Sequence, residues 1–260
     1  MSREKLLNTK IKTENAGRLQ QLLLDYNTFR FRKDVPCAQN KQQLLDWQTE
    51  RLKQSHHDLY THPRYHEGLD FLLKDLYAPK EFIQRDNDFE RVFPVMVKLL
   101  PDNLLYTVSL LIELNLLTQQ LDEALTLMLF EQMNVDCITF ENYAEAYRRC
   151  NNEHTRLHQI QLIANIGNDL DVYVRSRMVS FSLKITRSPA EMAGLGSLHD
   201  FLTRGFHAFH TMGGVDELLD RIVARETHIL KQIYSNDATP FSLNTLSESA
   251  LPNHDIIPHS

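Results

Sequence analysis

Apolar positions recur along most of the chain at spacings of three and four, the period of an amphipathic helix. No stretch alternates with period two for long enough to be a strand. Between about Glu14 and Arg30, Leu19, Leu22, Leu23 and Tyr26 make one stripe. Pro36 biases Val35 away from the helical basin and ends that element. A second helix is predicted from about Asn40 to Tyr60 on Leu44, Leu45, Leu52 and Leu59, with Gln and Lys on its far side. A third, from Arg64 to Leu76, carries Tyr65, Leu69, Leu72, Leu73 and Leu76 on one face. Pro79 opens a short helix through Arg85. Another follows from Asp88 to Leu100, with a kink or restart expected near Phe93 because Pro94 lies inside it.

The strongest element runs from Asp102 to about Met133, close to 50 Å if unbroken at ~1.5 Å per residue. Its first half is apolar nearly all round, with Leu104, Leu105, Val108, Leu110, Leu111, Ile112, Leu114, Leu116 and Leu117. A helix without a polar face must be surrounded, so this one is expected at the centre. Thr139 is a plausible N-cap for a helix reaching Cys150. A long helix from Glu153 to Val174 follows, then helical or broken chain from Arg175 to Thr186. At Ser188-Pro189-Ala190-Glu191 the capping-box pattern predicts a new helix start. A helix from Ser197 to Met212 ends at Gly213-Gly214, which supply a left-handed C-cap. The last helix is Val215 to Tyr234.

The expected architecture is therefore all-α: one bundle of eight to eleven helices around the rod at 102–133. Residues 1–13 read as a frayed N-terminus, 14–235 as the bundle and 236–260 as a disordered tail rich in Ser, Thr, Asn, Asp and Pro. No period of 20–50 residues repeats, which excludes a helical solenoid.

Composition narrows the function classes. Among 260 residues, 28 basic and 34 acidic side chains give a net charge of −6, which argues against nucleic acid or an anionic membrane as the main partner. The N-terminus lacks the apolar core of a secretory signal, and Thr107, Ser109, Glu113 and Asn115 interrupt the most apolar stretch, so a cytoplasmic location is expected. Cys37, Cys137 and Cys150 are odd in number and widely spaced, with no CxxC motif.

Two segments resemble an uncharacterised family of bacterial all-helical cytosolic proteins. One is RYHEGLDFLLKDLYAPKEFIQRDNDFERVFPVMVKLL, from Arg64 to Leu100; the other is AEMAGLGSLHDFLTRGFHAFHTMGG with the later pair Arg225-Glu226. The resemblance implies a soluble bacterial protein and carries no activity with it.

Candidate chemistry centres on charged and imidazole side chains. Pairs His154/His158, His62/His66 and His207/His210 fall three or four apart, the spacing at which two imidazoles share a helical face. None of the twelve histidines has Asp or Glu three residues before it, and HExxH is absent, so no metal site is assigned. No cofactor is expected; metal or haem beside His207 or His210, Phe206, Phe209 and Met212 is a minor alternative. Asp86 and Glu90, in the cluster from Arg85 to Arg91, could form an acid/base pair or simply a solvated helix start. Glu113, in the apolar middle of the central rod, needs a partner, with Arg156, Arg204 and Arg225 as candidates. The reading favoured is a non-catalytic helical protein that binds a protein partner or a copy of itself through an apolar groove. The alternative is an enzyme or ligand-binding protein holding a metal, haem or small apolar molecule, its pocket lined by Arg91, Glu113, His158, Arg204 and His207.

Overall fold

The computed structural model describes residues 6–32, 36–77, 91–98 and 100–243. Among them there is no strand. The helices are α1 (Glu14–Arg30), α2 (Ala38–Ser55), α3 (His57–Tyr60), α4 (His66–Phe71), α5 (Asp102–Thr126), α6 (Phe140–Cys150), α7 (Glu153–Val174), α8 (Arg177–Met192), α9 (Gly196–Met212) and α10 (Asp216–Tyr234). Wider, π-helical turns extend α4 over Leu72–Tyr77 and α5 over Leu127–Gln132. The expected helix over 79–85 and the Asp86/Glu90 cluster lie outside the described residues.

With its π-helical extension, α5 is the long apolar element at the centre of an all-α bundle. It packs against α1, α7, α2 and α6. Near its start Leu105 and Ile112 meet Leu19, Leu23 and Tyr26 of α1, with Phe93 and Leu6 closing the cluster. Its middle packs Leu110 on Leu162 and Ile166 of α7. At its far end Leu125 and Leu129 meet Leu44 of α2 and Tyr143 and Ala146 of α6. The sheath is incomplete, since residues 113–119 are only half-buried. By length and a mean hydropathy of 1.2, the run Asp102–Gln132 could cross a membrane. A third of that apolar window is buried inside the bundle, and the helix also buries Thr107, Ser109, Asp122, Glu123 and Thr126.

Local chemistry explains some element ends. Thr139 caps α6 by accepting from the Asn142 N–H, while the Asn142 side chain accepts from the Thr139 N–H. Gly213 takes the left-handed conformation at the end of α9, with φ +66°. The helix expected over 40–60 divides at His56, whose φ of −120° turns its ring inward. Residues 91–98 run through Pro94 without a restart, with Phe93 fully buried.

One predicted boundary is corrected. Ser188 caps nothing, because α8 continues through Pro189 to Met192. The Glu191 carboxylate, which the capping box needs at the Ser188 N–H, pairs instead with Arg187 at 3.2 Å. Leu6 is fully buried although it falls in the stretch expected to fray, and Phe241 packs its ring on Phe140 at 4.9 Å.

Candidate functional site

Of the five residues proposed for a pocket, the structure joins two. Glu113 on α5 accepts from His158 Nε2 on α7 at 3.0 Å, and its other oxygen pairs with Arg18 on α1. The expected partners of Glu113 were different: Arg156 lies in a buried cluster described below, and Arg225 holds Asp58. The reason is geometric. Half-buried Glu113 sits at the open middle of α5, where α1 and α7 flank it. Arg91 donates to the Ala193 carbonyl at 2.9 Å, after the end of α8. Arg204 and His207 stand on the exposed side of α9. Among the described residues, no group of three or more His, Cys, Asp and Glu side chains is placed to hold a metal ion.

A second polar assembly, absent from the sequence expectation, lies inside the bundle. Arg51 of α2 donates to both oxygens of Glu226 on α10, at 2.6 and 2.7 Å, and His56 Nε2 meets the same carboxylate at 2.8 Å. One turn earlier on α2, Gln48 donates to Asp122 at 3.3 Å and to the Tyr143 hydroxyl at 3.1 Å. Tyr143 in turn donates to Tyr147 at 3.0 Å. Arg156 of α7 lies 3.6 Å over the Tyr147 ring and donates to its hydroxyl at 2.9 Å. Gln48, Arg51, His56, Asp122 and Arg156 are all buried.

Charge in this centre is unevenly compensated. Burial alone would raise the Glu226 carboxyl, but the Arg51 charge and the bonds from His56 and Arg51 outweigh it and hold it at about 2. For Asp122 burial wins over Arg156, Gln48 and Lys41, pushing the carboxyl up to about 6. Burial also drives the Tyr143 hydroxyl well above its usual value. Gln48 Oε1, Arg51 Nε, His56 Nδ1 and Arg156 Nη2 are buried without a hydrogen-bond partner among the described residues. Such a centre fixes how α2, α5, α6, α7 and α10 meet, since a misplaced helix would leave a buried charge alone.

The third feature is a surface. No described side chain of α8 is buried. Phe181 is 63%, Ile185 57% and Met192 81% exposed. With Ser188 these positions follow one another at intervals of four, three and four, the spacing of a helix-pairing seam. The helix is held to the body partly by His199 of α9, whose Nε2 reaches the Leu183 carbonyl at 2.8 Å. Pro189 removes one backbone donor from its last turn.

The family model described as a domain of unknown function, DUF8198, matches residues 28–240. No curated protein matches the chain. No solved structure matches it either.

Proposed function

The chain belongs to the family defined by that domain of unknown function, and from this premise we propose that it is a helical docking protein which pairs with a second copy of itself along α8. The observation that carries the reading is the exposed seam of Phe181, Ile185 and Met192 on a helix that buries no described side chain. Three large apolar groups in line on one exposed helical face mark an interaction surface more often than scattered hydrophobes do.

Charge along the flank supports a second copy as the occupant. Arg177, Lys184 and Glu191 lie seven apart along one flank of the seam and are all exposed. In an antiparallel pair related by a two-fold axis through Lys184, the same flank of each copy lines one groove in opposite directions. Arg177 of each copy then stands opposite Glu191 of the other, with the two Lys184 at the centre. The opposed helix dipoles favour the same arrangement. A two-fold interface requires such self-complementarity, and a seam with one sign of charge along its flank would lack it.

Light scattering across a concentration series tests the reading. A dimer is expected in the wild type, and a monomer for Phe181→Glu with an unchanged helical circular dichroism spectrum. With the native cysteines replaced by serine, Lys184→Cys is expected to form an intermolecular disulfide. A wild type that stays monomeric throughout, or a dimer indifferent to Phe181→Glu, overturns it.

A further inference from the structure

Met192 closes the seam of α8 at its C-terminal end and is more exposed than Phe181 or Ile185. We propose that Met192 is a modification site governing the pairing of α8. Oxidation of its thioether to the sulfoxide releases the second copy, and the pair shields the thioether while it lasts. The inference rests on the self-pairing proposed above and names its regulation.

Three observations carry it. The first is selectivity. Of the methionines whose side chains are described, Met212 is buried, Met96, Met128 and Met133 are half-buried, and Met192 alone is exposed. An oxidant must reach the sulfur, so exposure ranks these side chains for oxidation.

The second is that the helix end carrying Met192 is anchored. The Ala193 N–H donates to the Pro189 carbonyl at 3.0 Å, and the Leu195 N–H to the Ala190 carbonyl at 2.8 Å. The Ala193 carbonyl in turn accepts from Arg91 at 2.9 Å. Met192 therefore stands out from a bonded turn, and its exposure is not that of a fraying helix end.

The third is position. Met192 lies eight residues past Lys184, so in the two-fold pair it is level with Ser176 of the other copy, eight residues before Lys184. Each copy thus lays one methionine against the start of the other's α8. Being the most exposed of the three large apolar groups on the seam, it has the most surface to bury on pairing. A sulfoxide oxygen needs a hydrogen-bond donor when buried, and the Phe181 and Ile185 side chains along the seam offer none.

The chemistry is a two-electron oxygen transfer. A lone pair on Met192 Sδ attacks one oxygen of hydrogen peroxide or another peroxide. The S–O bond forms as the O–O bond breaks, and with hydrogen peroxide the second oxygen leaves as water. Sulfur is oxidised and the peroxide is reduced. A reductase that consumes two thiols restores the thioether, with a disulfide and water as the other products.

Light scattering, with peptide mass spectrometry to locate the added oxygen, tests the proposal on the full chain before and after hydrogen peroxide. Met192 is expected to oxidise at least about tenfold more slowly in the wild-type dimer than in the monomeric Phe181→Glu variant. Oxidised wild type is expected to be monomeric with an unchanged helical circular dichroism spectrum, and to pair again once the sulfoxide is reduced. Met192→Leu is expected to remain a dimer through the same treatment. Met192→Gln is expected to raise the dimer Kd at least about tenfold without any oxidant. A wild type that is monomeric before oxidation overturns the pairing and this inference with it. A dimer that survives complete oxidation of Met192, leaves Met192 as reactive as in Phe181→Glu, or comes apart equally in Met192→Leu overturns this inference alone.

Discussion

Arg51 and Glu226 face each other across the bundle, one guanidinium nitrogen donating to both oxygens of a carboxylate 175 residues away. This pair and its neighbour His56 tie the second helix to the last one. Arg225, beside Glu226 in sequence, reaches the same region from a different face, bonding Asp58 at 2.6 and 2.8 Å. Two consecutive residues thus clamp α10 onto the junction of α2 and α3.

Breaking the buried half of that clamp is expected to be severe. Glu226→Gln leaves Arg51 charged and buried without its counter-ion, and a loss of about 3–5 kcal/mol is expected in urea denaturation. Replacing the pair together, as Arg51→Met with Glu226→Leu, removes both charges and is expected to cost clearly less than the single change. A double variant as unstable as Glu226→Gln would show that shape, not charge, dominates the site.

Two carboxyls of the centre respond to pH with opposite sign. Glu226 is held at about 2, below its usual value of 4.5, so its contribution is present above pH 4.5 and is lost as pH falls toward 2. Asp122 is raised from 3.8 to about 6, so its ionisation works against the fold. Its favourable contribution is present below pH 4 and is lost as pH rises to about 6, amounting to roughly 3 kcal/mol. Asp122→Asn removes the second effect. The stability gain of this variant over wild type is expected to be larger at pH 7.5 than at pH 4, as measured by denaturation at the two values. An equal difference at both pH values would contradict the assignment.

The helix α8, none of whose described side chains is fully buried, is expected to open first. Amide protection comes from burial as well as from hydrogen bonds, and α8 offers little burial. In hydrogen–deuterium exchange of the Phe181→Glu variant, peptides from α8 are expected to exchange orders of magnitude faster than those from α5 and α7. In the wild type at high concentration, pairing is expected to slow α8 selectively. Protection in α8 equal to that of α5 in the variant would mean that something else holds it.

Thr139 and Ser188 carry the same kind of local signal, and only one of them caps a helix. Around Thr139 the pattern meets no competitor, so the cap forms as the residues suggest, with Asn142 closing the box. Thr139→Ala is accordingly expected to cost about 1 kcal/mol in thermal or chemical unfolding. At Ser188 the Arg187–Glu191 pair takes the carboxylate that the cap requires, and the helix runs on. The apolar stripes of α1, α5, α7 and α10 were legible because their period alone dictates which side is buried. The buried centre was not. Gln48 and Arg51 look like the solvated side of α2 by periodicity, and their burial depends on Glu226, Asp122 and Tyr143 arriving from helices 74 to 175 residues away. Glu113 signalled its need for a partner, but the choice of Arg18 and His158 follows from helix packing that no local pattern encodes.

Gly167 provides the sharpest test of packing inside the bundle, because propensity and packing make opposite demands there. It lies within α7, where α10 crosses, and alanine would normally favour such a helical position by about 1 kcal/mol. A Cβ at this place, however, would stand 2.6 and 2.8 Å from the two methyl carbons of Leu219 and 3.2 Å from its Cγ. Three atoms of a branched side chain cannot all retreat by rotation, and Leu219 is itself buried against Leu218, Val215 and Phe209. Overpacking of this sort costs typically 1–3 kcal/mol. Gly167→Ala is therefore expected to destabilise, and a second change, Leu219→Ala, to rescue part of the loss by making room, so that the two effects are non-additive in a double-mutant cycle. If Gly167→Ala stabilised the protein, α7 and α10 could not approach as closely as the Leu219 contact requires.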